Sequence, residues 1–536
     1  MKNDFKEDIV KVLERKLKML GCIAMLFGLM FSSANLNAQN KNPKKPNVVF
    51  IYVDDLGFGD TGVYGATAVH TPNIDKLASE GKRFTDAHTV SAVCTPSRYA
   101  LITGEYPVRA NNLSSAIFDR DSLLINPDQF TLADLFKEQG YATGIVGKWH
   151  LGFGTKRPVD WNAELKPGPL ELGFDSYFGV PVLNSHPPFV YVKDHKVVGL
   201  EEDDPFVWGE EANTRPYPEK WNRGNQKIGG AKKAHSLYVD NMVGTTLKDS
   251  AVAFIKKHKE KPFFLYYATT NIHHPFTPAK RFLGESEAGR YGDFIEELDW
   301  IVGEVMKTLD EEGLRDNTIV VLTSDNGAML NRGGQDAYKM GHHMNGDLFG
   351  FKFDAWEGGH RVPFMIRWPG KIKPGTVSDK LISSNVDMIA TFAAIFGRKL
   401  KEGEAVDSFN LLPIFLDETN KEVRNELLIA PNDLRNIGLR KGDWMYISAQ
   451  GGGGFNAEHR GMHDFGGAAA TIFTKEENSD IENGKIKADA PPAQLYNVEE
   501  DRSEHTNLYN KYPEKVEAMK KEIEEIRNSK QTRPAN

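Results

Sequence analysis

Asn47-Val48-Val49-Phe50-Ile51-Tyr52-Val53, followed at once by Asp54-Asp55-Leu56-Gly57, is the stretch that sets the architecture. Residues 48–53 form an unbroken β-branched and aromatic run with no polar alternation. That is the pattern of a strand buried on both faces rather than one half-open to water. The same pattern recurs at residues 263–268, ending near His273, and at 318–323, ending at Ser324-Asp325-Asn326-Gly327. A shorter strand is expected at 142–146, running into Gly147-Lys148-Trp149-His150. Helical segments alternate with these strands. One spans 73–80, between Pro72 and Gly81, and another spans 132–139 and stops at Gly140. A third, at 294–309, places Ile295, Leu298, Val302 and Val305 on one face. The alternation predicts an α/β fold with a large, mostly parallel sheet covered by helices on both faces. Asp54, Asp55, Lys148, His150, His273, Asp325 and Asn326 all follow the C-terminal end of a predicted strand, the edge where open α/β sheets place their ligands. Lys148 and His150 are two apart, so they share a side if the extended conformation continues past the strand.

Beyond about residue 415 the texture changes. Short strands are expected at 427–430, 437–440, 444–448 and 494–498, with a Gly-rich loop at 450–455. Residues 513–528 read as a helix with Val516, Met519, Ile523 and Ile526 on one face. The expected organisation is therefore a leader at 1–38, a catalytic domain at 47–415 and a smaller C-terminal antiparallel sheet plus helix at 416–536.

The leader reading rests on charge and hydropathy. Lys11, Arg15, Lys16 and Lys18 precede an apolar stretch at 19–31, and small and polar residues lead to Ala38, a plausible cleavage point. A start at Met1 or at Met19 leaves this apolar stretch whole. Thirteen apolar residues are short for a membrane span, and Cys22 sits too early in the stretch for a lipidation site. The expected location is exported, periplasmic or secreted, without a stable membrane anchor. The 536-residue chain has two cysteines, so removal of the leader would leave Cys94 alone and no intrachain disulfide. The net charge of −8 argues against nucleic acid as a partner. An anionic substrate would have to be met by local Lys, Arg, His or metal charge.

Taken singly, the polar clusters have ordinary explanations. Asp54-Asp55-Leu56-Gly57 and Asp325-Asn326-Gly327 suit turns, His273-His274-Pro275 suits a structural loop, and residues 356–363 suit a Gly-rich hairpin. Together, two strand-end groups of oxygen donors suit a hard cation such as calcium, which takes roughly six to eight oxygens. The run from Ser91 to Gly104, centred on Cys94-Thr95-Pro96-Ser97-Arg98, resembles the signature of the type I, formylglycine-dependent sulfatases of the alkaline-phosphatase superfamily. Glu357-Gly358-Gly359 is similar to a second signature, and the segments match that family in order and spacing from Asn47 to Pro369. Phe282-Leu283-Gly284, Arg290-Tyr291-Gly292-Asp293 and Glu297-Leu298-Asp299 are similar to arylsulfatase A and N-acetylgalactosamine-6-sulfatase.

The resemblance implies that a sulfatase-maturating enzyme oxidises Cys94 to formylglycine (3-oxoalanine). Its hydrate attacks sulfur, and the second hydroxyl lets the covalent intermediate collapse. It also implies calcium held by Asp54, Asp55, Asp325, Asn326 and residue 94. Arg98, Lys148 and Lys352 would supply positive charge, Asp325 would take the nucleophile's proton, His273 would act as general acid and His150 would regenerate the aldehyde. Asn184, Ser185 and His186 would contact the substrate. The implied activity is exo-acting removal of sulfate monoesters from a glycosaminoglycan or mucin-type saccharide, on hexosamine or galactose. No Lys/Arg run suggests an extended groove for a polyanion. Two other readings compete. One is a phosphomonoesterase or phosphodiesterase of the same superfamily, which would use Ser or Thr with zinc-type ligands. The other is a non-catalytic sulfated-glycan-binding protein, which would be expected to lack Cys94 or the acid histidine.

Overall fold

The computed structural model describes residues 10–16, 45–210, 227–419, 421–455 and 463–534. Residues 10–16 are helical and belong to a unit, Met1–Pro46, separate from Asn47–Asn536. The apolar stretch and cleavage region of the expected leader, 19–38, lie outside the described residues. Among the described residues no helix is long and apolar enough to cross a membrane.

The principal sheet has ten strands. In chain order they are β1 (Asn47–Val53), β2 (Lys82–Phe84), β3 (Ala142–Gly147), β4 (Ser176–Gly179), β5 (Val192–Lys193), β6 (Lys196–Val197), β7 (Phe263–Ala268), β8 (Thr318–Ser324), β9 (Phe364–Arg367) and β10 (Thr376–Ser378). Their spatial order is β10-β2-β9-β8-β1-β7-β3-β4-β5-β6. β8, β1, β7, β3 and β4 run parallel as a central block, while β9 and β5 run against their neighbours. The sheet is thus mixed but mostly parallel. Helices α1 (Pro72–Ser79), α2 (Cys94–Thr103), α3 (Leu132–Glu138), α4 (Val243–His258), α5 (Gly289–Glu311) and α6 (Met388–Ile395) cover it.

β1 shows why its sequence reads as a continuous apolar run. Val48, Phe50 and Tyr52 enter one core with Phe136 of α3 and Phe392 of α6. Val49, Ile51 and Val53 enter the opposite core with Ile295, Leu298, Val302 and Val305 of α5. Each such fully buried side chain contributes about 1.5–3 kcal/mol of transfer free energy, so both faces must be covered. α5 begins five residues before the expected start; the sequence hides this turn because Gly289-Arg290-Tyr291-Gly292-Asp293 is poor in helix formers. Tertiary bonds offset that weakness: Asp293 accepts from Gly284 N at 2.9 Å and Ser286 N at 3.1 Å.

The C-terminal part contains β11 (Glu426–Ile429), β12 (Gly438–Lys441), β13 (Trp444–Ile447) and β14 (Gln494–Asn497), all antiparallel in that order. α7 (Pro513–Asn528) buries Val516, Met519, Ile523 and Ile526 in the core shared with Leu439 and Tyr446. Two local expectations need correction. Residues 357–360 form a single helical turn rather than a hairpin, since Arg361 N returns to Glu357 O at 2.7 Å. The extended conformation is broken at Gly147, with a φ of 112°, and again at His150, whose φ of 59° is left-handed. The two-residue spacing therefore gives no same-side rule for Lys148 and His150.

Candidate active site

The four strands β8, β1, β7 and β3 are neighbours and parallel, so their C-terminal ends lie side by side. Asp325 and Asn326 leave β8, Asp54 and Asp55 leave β1, His273 follows β7, and Lys148 and His150 follow β3. Backbone bonds lock the junctions: Asp325 N donates to Val53 O at 3.0 Å, and Asp55 N donates to Asp325 Oδ1 at 3.1 Å. The first turn of α2 brings Cys94 and Arg98 to the same edge. One donor atom each from Asp54, Cys94 and Asp325 lies within 4.8 Å of the others.

Charge at this edge is paired. Arg98 donates through Nε and Nη2 to Asp325 Oδ2, at 3.1 and 2.7 Å, and through Nη1 to Lys148 O at 3.2 Å. Lys148 Nζ donates to Asp54 Oδ2 at 2.7 Å, and Lys352 Nζ donates to Asp55 Oδ1. Burial disfavours charge on Arg98 and Lys352. Asp325 and Asp54 around the first, and Asp55 beside the second, outweigh it and hold both cations above their ordinary values. Burial, and then the charge of Asp54, push the Asp325 carboxyl up. Burial likewise pushes up the Cys94 thiol, against the pull of Lys148 and Lys352.

A cation fits this donor set. Asp54 Oδ1, Asp55 Oδ2 and Asn326 Oδ1 are buried oxygens that accept no hydrogen bond from the described residues. Asn326 Nδ2 is already spent on Asp55 Oδ1 at 2.7 Å, which leaves its oxygen free to face the cluster. Orphaned buried acceptors are costly unless something positive meets them. All are oxygens, the donor type a hard divalent ion prefers.

The histidines differ in which nitrogen is free. His150 Nε2 lies 2.7 Å from Ile117 O, so it carries the proton, and Nδ1 is a buried lone pair with no partner among the described residues. His273 Nδ1 faces two acceptors, His274 O at 2.7 Å and Asn184 Oδ1 at 3.0 Å, so that nitrogen carries the proton. Its Nε2 lies 3.9 Å from Asp55 Oδ2. Burial, then Lys148 and Arg98, push His150 far below the usual imidazole range. Burial, then His274 and Lys352, do the same to His273. Asn184 also donates from Nδ2 to His273 O at 2.8 Å, gripping that residue at both ends. Ser185 and His186 bond to each other at 2.9 Å, and the His186 ring lies 5.0 Å from Phe118, next to the Ile117 that holds His150.

Thus all the expected residues gather at or beside one strand edge. Missed by the sequence reading were Phe353, Phe455 and Phe465, which pack in one apolar cluster with Val93, Cys94 and Met329. Glu357 of the Glu-Gly-Gly signature lies elsewhere. It joins His88 and His360 in a second buried group. There Arg361 Nη1 reaches Glu357 Oε2 at 2.9 Å, Arg440 Nε lies 3.5 Å from Oε1, and the two Nδ1 atoms of His88 and His360 share a contact of 3.0 Å. Two guanidinium groups supply the positive charge of this group, so the motif is a strut between the two sheets.

A sulfatase family model matches residues 46–398, from the lead-in to β1 to beyond α6. The chain belongs to the sulfatase family. It is a sulfuric ester hydrolase whose candidate active site is the strand edge at Cys94. The sulfatase is 37% identical over 543 residues to the N-acetylgalactosamine-6-O-sulfatase of Bacteroides thetaiotaomicron, covering 97% of this chain and 100% of that relative. It is 34% identical to the human N-acetylgalactosamine-6-sulfatase, covering 70% of this chain and 66% of the relative. A rat steryl-sulfatase is also 34% identical, over 73% of this chain and 74% of its own. A solved Bacteroides thetaiotaomicron structure, described under the metabolism of multiple glycosaminoglycans, superposes with a TM-score of 0.77 and 34% identity, covering 91% of this chain and 100% of that one.

Proposed function

We propose that this sulfatase removes sulfate monoesters from the ends of glycosaminoglycan or mucin-type saccharides, on hexosamine or galactose. In this reading Cys94 is oxidised to formylglycine by a maturation enzyme, and calcium is held by Asp54, Asp55, Asp325, Asn326 and residue 94. The reaction belongs to the 47–415 portion, with 416–536 as a supporting subdomain, and takes place after export, in the periplasm or outside the cell. The observation that carries it is the set of orphaned oxygens beside Cys94, enclosed by Lys148, Lys352 and Arg98.

When bound, the ion supplies positive charge to sulfate oxygens and the formylglycine supplies the attacking oxygen. The chain's own residues then have these tasks. Three carboxylates (Asp54, Asp55 and Asp325) face three cations (Lys148, Lys352 and Arg98), so the pocket is near neutral by itself. A divalent ion makes it net positive, which suits a sulfate ester. Arg98 fixes Asp325, which takes the nucleophile's proton. His150 enters as a neutral base with a free Nδ1. His273 must carry a second proton, on Nε2, to protonate the departing sugar oxygen. The negative charge of an arriving sulfate favours that protonation, which the empty pocket resists. Asn184 keeps the His273 ring in place, and Ser185 and His186 continue the wall toward the sugar.

The near full-length likeness to an N-acetylgalactosamine-6-O-sulfatase supports 6-sulfated hexosamine or galactose as the first substrates to try. The test compares sulfated mono- and disaccharides with intact polymer, aryl sulfate and a steroid sulfate. Sulfate release from short saccharides, with internal polymer positions resistant, is expected. Release from polymer alone would overturn the exo reading, and activity confined to aryl or steroid sulfates would overturn the glycan reading.

A further inference from the structure

Asp354 lies two residues beyond Lys352, and nothing in the chemistry above uses it. Its side chain is 0% exposed. Among the described residues no cation pairs with it. Its carboxylate is met by three backbone N–H groups: Phe351 N on Oδ2 at 3.0 Å, and Gly454 N and Gly467 N on Oδ1 at 3.0 and 2.7 Å. Two of those donors come from glycine runs about a hundred residues later, in the C-terminal part. The fit is close enough to demand glycine. A Cβ at Gly452 would stand 2.7 Å from Asp354 Oδ1, and one at Gly466 would stand 2.8 Å from Oδ2. Ala355 N adds a further tie to Gly452 O at 2.7 Å.

The segment that bears Asp354 also touches the reaction centre. Lys352 Nζ bonds Asp55, and Phe353 N donates to Ala92 O at 2.9 Å, two residues before Cys94. The rings at the ends of the two glycine runs, Phe455 and Phe465, stack with centroids 5.3 Å apart. Phe353 packs on Phe455 at 4.8 Å, and all three rings join the apolar cluster that contains Cys94. One carboxylate therefore fixes how the C-terminal glycine runs sit against the pocket.

We propose that Asp354 is a positioning residue that sets the aromatic wall of the Cys94 pocket and thereby its selectivity for a saccharide leaving group. This rests on the glycan-sulfatase reading above. On that reading the sulfate itself is gripped by Lys148, Lys352 and the cation that the strand-end oxygens would hold. Phe353 and Phe465 are buried and Phe455 is half-buried, so the wall would meet what is attached to the sulfate through Phe455. Sugar faces stack on such rings, whereas a small, activated aryl sulfate needs less guidance.

The test uses the mature, formylglycine-bearing enzyme, with Asp354→Asn and Phe455→Ala compared to wild type. Asparagine cannot accept at all three N–H groups, because its NH2 must face at least one of them. Phe455→Ala trims a half-buried ring and leaves the carboxylate bonds in place. Both variants are expected to raise KM for a sulfated disaccharide tenfold or more, with less than a threefold loss of kcat/KM on 4-nitrophenyl sulfate. In Asp354→Asn, amide hydrogen exchange at Gly454 and Gly467 should accelerate at least tenfold while α5 keeps its protection. Equal losses on both substrates, or no loss on either, overturn the proposal, as does unchanged exchange at the two glycines. A wild-type enzyme that turns over aryl sulfate but no saccharide overturns the glycan reading instead. If Asp354→Asn does not fold, Phe455→Ala decides between the same outcomes.

Discussion

Cys94 and Glu297 are both buried, and each is governed by what faces it. Cys94 is ringed by the cations and carboxylates of the strand ends, an expensive setting for an idle thiol. Conversion of its CH2SH to CHO should leave the peptide around residue 94 about 18 Da lighter than the thiol form. Cys94→Ala should retain the thermal transition and abolish turnover, and full activity from enzyme carrying the intact thiol would refute the assignment. Glu297 supports the site from behind. It accepts from Asn271 Nδ2 at 3.1 Å, and Asn271 O accepts from Asp54 N at 3.1 Å. Burial pushes the Glu297 carboxyl up to about 7. A carboxyl raised above its unfolded value contributes stability that is complete below about pH 4.3 and is lost as pH rises through 7. Glu297→Gln is neutral throughout and keeps an accepting oxygen. Between pH 5 and pH 8 it should therefore gain on wild type by up to ~3 kcal/mol of unfolding free energy. A difference that stays flat with pH in parallel denaturant titrations would rule this out.

At the scale of elements, the catalytic edge exists because four adjacent parallel strands end together. Their identity was legible: unbroken apolar runs bounded by Asp, Gly or Asn signal doubly covered strands, and the polar residues just after them mark the ligand edge. The details of reach were not. Left-handed backbone at His150 is invisible in its residue type, and the early turn of α5 is hidden by two glycines and an aspartate held by tertiary bonds. Asp354, Phe455 and Phe465 carry no local signal, since their meaning lies in contacts across a hundred residues. A site built from strand ends should take up one calcium per chain. Chelation should then abolish activity and lower Tm, because a ligand bound only by the folded state stabilises it by mass action. Calcium should restore both, and restoration by stoichiometric zinc would instead favour the phosphatase-type reading.

For the molecule as a whole, the two sheets are tied by buried charge. Arg424 donates to both Asp387 oxygens at 2.9 and 2.6 Å, and Arg440 of β12 reaches Asp86 at 3.4 Å and Glu357 at 3.5 Å. Removing one member of a buried pair costs about 3–5 kcal/mol. Deleting residues 416–536 would strip both arginines at once and uncover the core that holds α7. A protein ending at residue 415 should accordingly show no cooperative melting. A soluble truncation with a sharp transition would show that the larger sheet stands alone.

The depth of Cys94, 2% exposed beneath Phe353 and Phe465, sets a clock on the protein's biosynthesis. An enzyme cannot close its own active site around a sulfur that lies under side chains made some 260 and 370 positions later in the chain. On the formylglycine reading, oxidation is therefore expected first, while the Cys94 pentapeptide is still an open strand of nascent or unfolded polypeptide, and folding then closes it to a second protein. Folded thiol-form protein should resist added maturation enzyme, and the denatured chain should yield to it. On this reading a missed modification is permanent: a molecule that folds before it is oxidised should stay intact, stable and inert.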